Sequence, residues 1–167
     1  MMGFSLSCKR KSKEVEVHLR NNTVSSIPDS VFGKESLTIL DIGCEGYTLY
    51  PSLSSIGTGY VEIPLAELPE RIGEMKNLKI LRIQCSGISK LPESLPKLTN
   101  LEELDISLNK NLDVLNEIGK IRQLPNLKIL NIYDTRIARD KIELLKSLLD
   151  RKIKVIASQS EFDKFSN

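Results

Sequence analysis

The sequence has no tryptophan and only four phenylalanines and four tyrosines, so aromatics are 5% of a chain that is 40% apolar. Its interior must be aliphatic. No apolar run approaches the roughly 20 residues of a membrane-spanning helix. Histidine occurs once, at His18, and the three cysteines, Cys8, Cys44 and Cys85, show no C-x-x-C spacing, so no metal-ligand cluster is expected. Neither a P-loop nor a G-x-G-x-x-G is present. Lys and Arg number 24 against 22 Asp and Glu, and a net charge of +2 gives no general attraction to nucleic acid or anionic membrane. These absences lead to the expectation of no cofactor, no metal, no small-molecule substrate and no nucleic-acid partner.

What the chain has is a recurrence. Leu78, Leu81 and Ile83 form L-x-x-L-x-L, followed by Ser86, Ile88, Leu91-Pro92, Leu95 and Leu98, and the pattern restarts 23 residues on at Leu101, with Leu104, Ile106 and Asn109. It returns at Leu127, Leu130, Ile132, Thr135 and Ile137, and stands upstream at Leu37, Leu40 and Ile42 and at Val17, Leu19, Asn22, Val24 and Ile27-Pro28. Five repeats are legible. Recurrence at a fixed period outweighs any single match to so degenerate a motif. Over roughly residues 14 to 137 the chain resembles the leucine-rich repeat family, most closely the subclass with an outer L-P-x-x-[IL]-x-x-L-x-x-L segment, which Ala66 to Leu81 fits well. The resemblance implies an α/β solenoid: a short right-handed curved coil with a parallel β-sheet lining its concave side. A single coil cannot bury its own apolar face, so stacking is required.

Residues 1–12 read either as a disordered basic terminus or as a lipoprotein tether. F-S-L-S-C followed by K-R-K resembles the end of a bacterial lipoprotein signal with Cys8 as the lipidated residue, provided that translation starts further upstream. Read literally, the chain is expected to be cytoplasmic; the alternative is a cell-envelope lipoprotein, membrane-bound only through Cys8. The repeat domain is expected over 13–157. K-E-V-E-V-H-L, from Lys13, alternates as an edge strand should. Asn22 and Asn109 stand where the family's asparagine satisfies the turn after the strand, and Glu45, Ser86 and Thr135 replace it elsewhere.

The step from Leu37 to Leu78 is 41 residues, which leaves an inserted loop over about 47–65 with Tyr47, Tyr50 and Tyr60 in it. Tyrosine offers rigid amphipathic contact area, so the loop reads as a binding loop, against the alternative of a degenerate extra coil. Leu112, Leu115, Ile118, Ile121 and Leu124 predict a helical or 3₁₀ outer segment. A capping box at Asp140 and Glu143 and the stripe Ile142, Leu145, Leu148 and Leu149 predict a helix, and Ile153 and Val155 a last strand. Together, over about 139–157, they form a C-terminal cap, and 158–167 is a polar tail carrying Phe162 and Phe165.

Strand parity assigns the concave rows. They are Glu16, Ile39, Ile80, Glu103 and Ile129; then His18, Asp41, Arg82, Asp105 and Asn131; then Arg20, Gly43, Gln84, Ser107 and Tyr133. Asp41, Arg82 and Asp105 alternate in sign and are expected to pair along their row. Ile39, Ile80, Ile129 and Tyr133 are expected to expose apolar area, which favours a partner. Cys44 and Cys85 recur at one repeat position and are expected as two thiols, because an in-register parallel pair suits a disulfide poorly. No catalytic residue is expected: His18 on an edge strand has no pocket. The reading is a monomeric, non-enzymatic module that binds another macromolecule, a protein, through Glu16, His18, Arg20, Ile39, Asp41, Ile80, Arg82, Gln84, Glu103, Asp105, Ile129, Asn131 and Tyr133 and through the tyrosine loop. The alternatives are an envelope structural or adhesion lipoprotein and, last, the targeting fragment of an enzyme.

Overall fold

The computed structural model describes residues 15–20, 23–44 and 62–166. Among these residues six short strands lie parallel in sequence order: β1 (Val15–Arg20), β2 (Leu37–Gly43), β3 (Ile80–Ile83), β4 (Glu103–Asp105), β5 (Ile129–Asn131) and β6 (Lys154–Ile156). A chain that advances by one strand spacing, about 4.8 Å, per coil can produce no other order. The fold is the α/β solenoid that the repeats predict. Strands β1 to β5 come from the five repeats and β6 from the lysine-flanked segment after the last of them.

The ladder leucines are in register, Val17, Leu40, Leu81, Leu104 and Leu130 pairing in turn and Val155 closing the row. The first five are buried, and one apolar cluster runs unbroken from Val17 to Ile156. Outside the sheet the coils return through α1 (Asp29–Phe32), 3₁₀ turns at Glu70–Glu74 and Leu95–Lys97, and α2 (Val114–Ile121). Prolines start two of these turns, Pro28 and Pro69 holding φ at −59° and −71° before α1 and the first 3₁₀ turn. Helix α2 is longer because its coil has 26 residues where its predecessor has 23. Asp113 caps it, its Oδ1 accepting from the Leu115 N–H at 3.1 Å.

Asparagine stitches coil to coil. The Asn109 amide donates to the carbonyls of Ile83 at 2.7 Å and Ile106 at 2.8 Å, while its Oδ1 accepts from Ser86 N–H and Oγ at 2.9 and 2.6 Å. Ser86 thus fills its turn by leaning on the next coil's asparagine. Asn22 and Glu45 lie outside the described residues. A second series went unread in the sequence: Asn77, Asn100 and Asn126 each donate to a carbonyl of the preceding coil, those of Glu35, Lys76 and Thr99, at 2.7–2.8 Å. Its signal was the dipeptide N-L that opens three consecutive ladders. Past the strands, Cys85, Leu108 and Asp134 occupy the same point of consecutive coils with φ of 54°, 63° and 54°. A left-handed residue other than glycine costs roughly 1–3 kcal/mol, so each sharp exit from the sheet is held by its neighbours.

Four expectations need correction. The inserted segment rejoins the core before its expected end, because Ile63 and Leu65 are buried, Ile63 bridges in parallel to Ser86, and its N–H donates to the Cys85 carbonyl at 2.7 Å. Cys44 and Cys85 are paired as a disulfide, with Cα atoms 5.8 Å apart. Both lie beyond Ile42 and Ile83, the last pair between β2 and β3, and Cys85 has already turned left-handed, so the geometry of an in-register ladder pair does not apply.

In the cap, the turn Arg139–Lys141 leads into α3 (Ile142–Leu148), which buries Leu145, with Leu149 buried just beyond it. The Asp140 and Glu143 capping box does not form; neither helix start has a side-chain cap, and Glu143 instead accepts from Lys146 Nζ at 3.0 Å. The polar tail is a helix, α4 (Gln159–Ser166), and the capping box is there: Glu161 Oε2 accepts from the N–H groups of Ala157 and Ser158 at 3.0 Å each, and Ser158 Oγ accepts from the Glu161 N–H at 3.3 Å. The side chains of Phe162 and Phe165 lie outside the described residues. Among the described residues no helix is long and apolar enough to cross a membrane.

Candidate functional site

The sheet face that the outer segments leave uncovered is the candidate site, and the register arranges it as parity requires. Glu16, Ile39, Ile80, Glu103 and Ile129 stand side by side, with Lys154 closing the row on β6. His18, Asp41, Arg82, Asp105 and Asn131 form the next row, and Arg20 lies beside Gly43 in the third.

Along the second row His18 meets Asp41 and Asn131 meets Asp105, but the expected pairing of Arg82 with Asp41 and Asp105 does not form. Asp41 is taken by β1: Arg20 Nε and Nη2 donate to its two oxygens at 3.0 and 2.8 Å, and His18 Nδ1 lies 3.2 Å from Oδ2. The other ring nitrogen of His18 is 3.0 Å from Glu16 Oε2, so the only histidine sits between two carboxylates. Arg82 Nε donates to Glu103 Oε1 at 2.7 Å, one row over on β4. Arginine is long enough to bridge strands about 4.8 Å apart diagonally, and a side chain's reach, not its row, selects the partner.

A single string of hydrogen bonds results. From Asp41 it passes through Arg20 Nη2 to Gln84 Oε1 at 2.9 Å, and from Gln84 Nε2 to Asp105 Oδ2 at 2.9 Å. Asp105 also accepts from Asn131 Nδ2 at 3.0 Å and from the N–H and Oγ of Ser107 at 3.0 and 2.6 Å. Asn131 Oδ1 then accepts from the Tyr133 N–H at 3.2 Å, and the Tyr133 hydroxyl donates to Gln159 of α4. The string runs from the first strand to the last helix.

Long side chains lying flat bury what is beneath them. Asp41, Glu103, Asp105, Ser107 and Asn131 are buried, Asp105 being only 1% exposed. Burial pushes its carboxyl above the ordinary range; the Ser107 and Asn131 donors oppose that, and the nearby Glu103 charge adds to it. The expected row of exposed isoleucines is not there. Ile39 is buried, and Ile80, Ile129 and Tyr133 are half-buried. Among the described residues the exposed large apolar side chain, Leu144, lies elsewhere, on α3.

Cys8 and Tyr47, Tyr50 and Tyr60 lie outside the described residues. Among those described, no three His, Cys, Asp or Glu side chains are grouped to hold a metal ion. At the far end of the solenoid a cavity of about 520 Å³ opens between the chain after α2 and the cap, lined by Arg122, Leu127, Leu149, Asp150 and Lys152 among others.

No family model matches the chain. A probable disease resistance protein of Arabidopsis thaliana is 26% identical over 120 residues, 72% of this chain and 14% of that protein. The mouse NACHT, LRR and PYD domains-containing protein 9C is 26% identical over 148 residues, 87% of this chain and 14% of it. The chain thus spans about a seventh of the length of these curated relatives. An LRR protein of Leptospira interrogans superposes with a TM-score of 0.57 at 21% identity, covering 80% of this chain and 28% of that one.

Proposed function

We propose that the chain, which has the fold of a leucine-rich repeat protein, is a non-catalytic leucine-rich repeat module whose concave face binds a protein partner. The observation that carries this is the sheet face itself. On it Arg20, Ile80, Arg82, Gln84, Ile129 and Tyr133 remain partly open along the sheet from β1 to just beyond β5. A face of preordered side chains on rigid strands loses little conformational entropy on binding. His18 is held between Glu16 and Asp41, and its hydrogen bonds include no hydroxyl or thiol that it could activate as a nucleophile.

The tyrosine loop is the second element of this reading. Its described flanks, Cys44 and Ile63, are both buried, and the Ile63 N–H bonds to the carbonyl of Cys85, which supports a loop anchored at its base. The module comprises residues 13–157, with α4 packed after it. The small share of each relative that the chain covers restricts the reading to this module.

The test is affinity capture from the native cell's lysate with wild type, an Ile80→Glu Ile129→Glu variant and a deletion of residues 47–60, each checked for folding by circular dichroism. A protein retained by wild type and lost with the first variant supports the concave site, and its loss with the deletion supports the loop. Equal capture by all three overturns both.

A further inference from the structure

The concave face separates its charges by depth. Asp41 and Glu103 have side chains only 7% and 11% exposed, and Asp105 is deeper still. Over them lie Arg20 and Arg82, with side chains 36% and 29% exposed, and Lys154 stands exposed at the end of the first row. The acceptors are below and used; the donors are above and in part unused. Arg82 bonds through Nε alone, which leaves both terminal nitrogens without a partner among the described residues. Arg20 commits Nε and Nη2 and keeps Nη1, and Lys154 Nζ has no bond among them. Between these cations Ile80 and Ile129 are half-buried in one row, and Tyr133 is half-buried in the third.

We propose that this face takes an extended acidic segment of its protein partner, carboxylates meeting the outward N–H groups of Arg20, Arg82 and Lys154 and apolar side chains meeting Ile80, Ile129 and Tyr133. The inference rests on the concave-face reading above and adds the partner's chemistry to it. A guanidinium already anchored through Nε presents its two terminal nitrogens in one plane at fixed orientation, which suits a carboxylate bidentately. Aliphatic area alternating with arginine matches a peptide that alternates acidic and apolar residues. A phosphate backbone would leave that area uncovered, and the net charge of +2 gives nucleic acid no long-range attraction.

The test is selection of random twelve-residue peptides displayed on phage against the whole protein, followed by titration of the selected peptides, synthesised, against wild type, Arg82→Gln, Lys154→Gln and Ile80→Glu Ile129→Glu. Enrichment in Asp and Glu is expected, with affinity about tenfold weaker for Arg82→Gln, as loss of a charge-assisted bond implies, a smaller loss for Lys154→Gln, and weakening as salt is raised. Lys154 is exposed and unbonded among the described residues, so its variant reads charge without disturbing the fold. Selected peptides without acidic enrichment that still lose binding to the isoleucine variant overturn the acidic partner and keep the concave site. Peptides indifferent to all three variants overturn both, and so does failure to select any. A single-stranded DNA oligonucleotide bound by wild type and released by Arg82→Gln replaces the acidic peptide with nucleic acid and also overturns the proposal.

Discussion

Arg20 lies over Gly43. A methyl group built on that glycine would stand 3.5 Å from Arg20 Nη1 and 3.5 Å from Gln84 Cβ, so the missing side chain on β2 is the channel by which an arginine of β1 reaches a glutamine beyond β3. Gly43→Ala should be tolerated, since 3.5 Å is ordinary contact. Gly43→Leu should push Arg20 aside and strip Asp41 of its two guanidinium bonds, at about 1–3 kcal/mol for a buried acceptor left short of donors. Urea midpoints of the two variants check this, and equal midpoints would show that Arg20 finds another route.

Gly73 is the tighter case. A Cβ there would fall 2.6 Å from Ser94 Cβ and 2.8 Å from the Ser94 carbonyl. Ser94 cannot retreat, because its N–H donates to Glu70 Oε2 at 2.8 Å and its Oγ to the Glu70 carbonyl at 2.6 Å. Gly73→Ala should cost about 1–3 kcal/mol by overpacking two adjacent outer segments. The thermal midpoint reads it, and an unchanged value would mean that the coils slide apart easily.

Asp105 predicts a dependence on pH with a definite sign. Its folded pKa is raised by burial above an unfolded value near the ordinary 3.8, so its contribution to stability is fully present below that value and is lost as pH rises through the folded pKa. Relative to wild type, Asp105→Asn should therefore gain stability as pH climbs from about 3.8. Unfolding of both proteins across a pH series checks this; a variant-minus-wild-type stability that falls with rising pH would contradict it. Glu161 has the opposite sign. The Ala157 N–H, first among its donors, holds its pKa below the usual 4.5, and its contribution is lost as pH falls through the lowered value.

The cap can be removed. Deleting residues 139–167 takes away α3, β6 and α4 and uncovers the buried row at Leu130 and Ile132. An open solenoid end leaves an apolar layer in water, so the truncated chain should aggregate or lose its sharp transition. Size-exclusion chromatography with urea unfolding decides, and a monomeric, sharply unfolding product would show that the last coil closes itself.

The ladder was legible because each coil repeats it: L-x-x-L-x-L puts Leu40, Leu81, Leu104 and Leu130 in one row, and parity then orders the face beside them. Periodicity says where a side chain starts, not where it ends. Arg82 therefore stands in the row that parity assigns but bonds one row over, and Ile39 is buried although parity puts it on the open face. Capping shows the same limit: D-K-I-E and S-Q-S-E have equal spacing, yet only Ser158 and Glu161 meet, because Asp140 lies inside the turn Arg139–Lys141 and not at the start of a helix. Ile63 and Leu65 were hidden within a segment whose prolines and glycines read as loop throughout.

A solenoid whose coils touch only their neighbours is expected to fray from its ends, each coil opening at its own free energy. Asp105 works against this in the middle. Its donors come from Gln84 just after β3, Ser107 just after β4 and Asn131 in β5, so no one of these three coils can open without baring a buried carboxylate that the other two were helping to solvate. The central three coils should therefore open as a single unit, with their amides exchanging hydrogen at one common rate while those of β1 and β6 exchange faster.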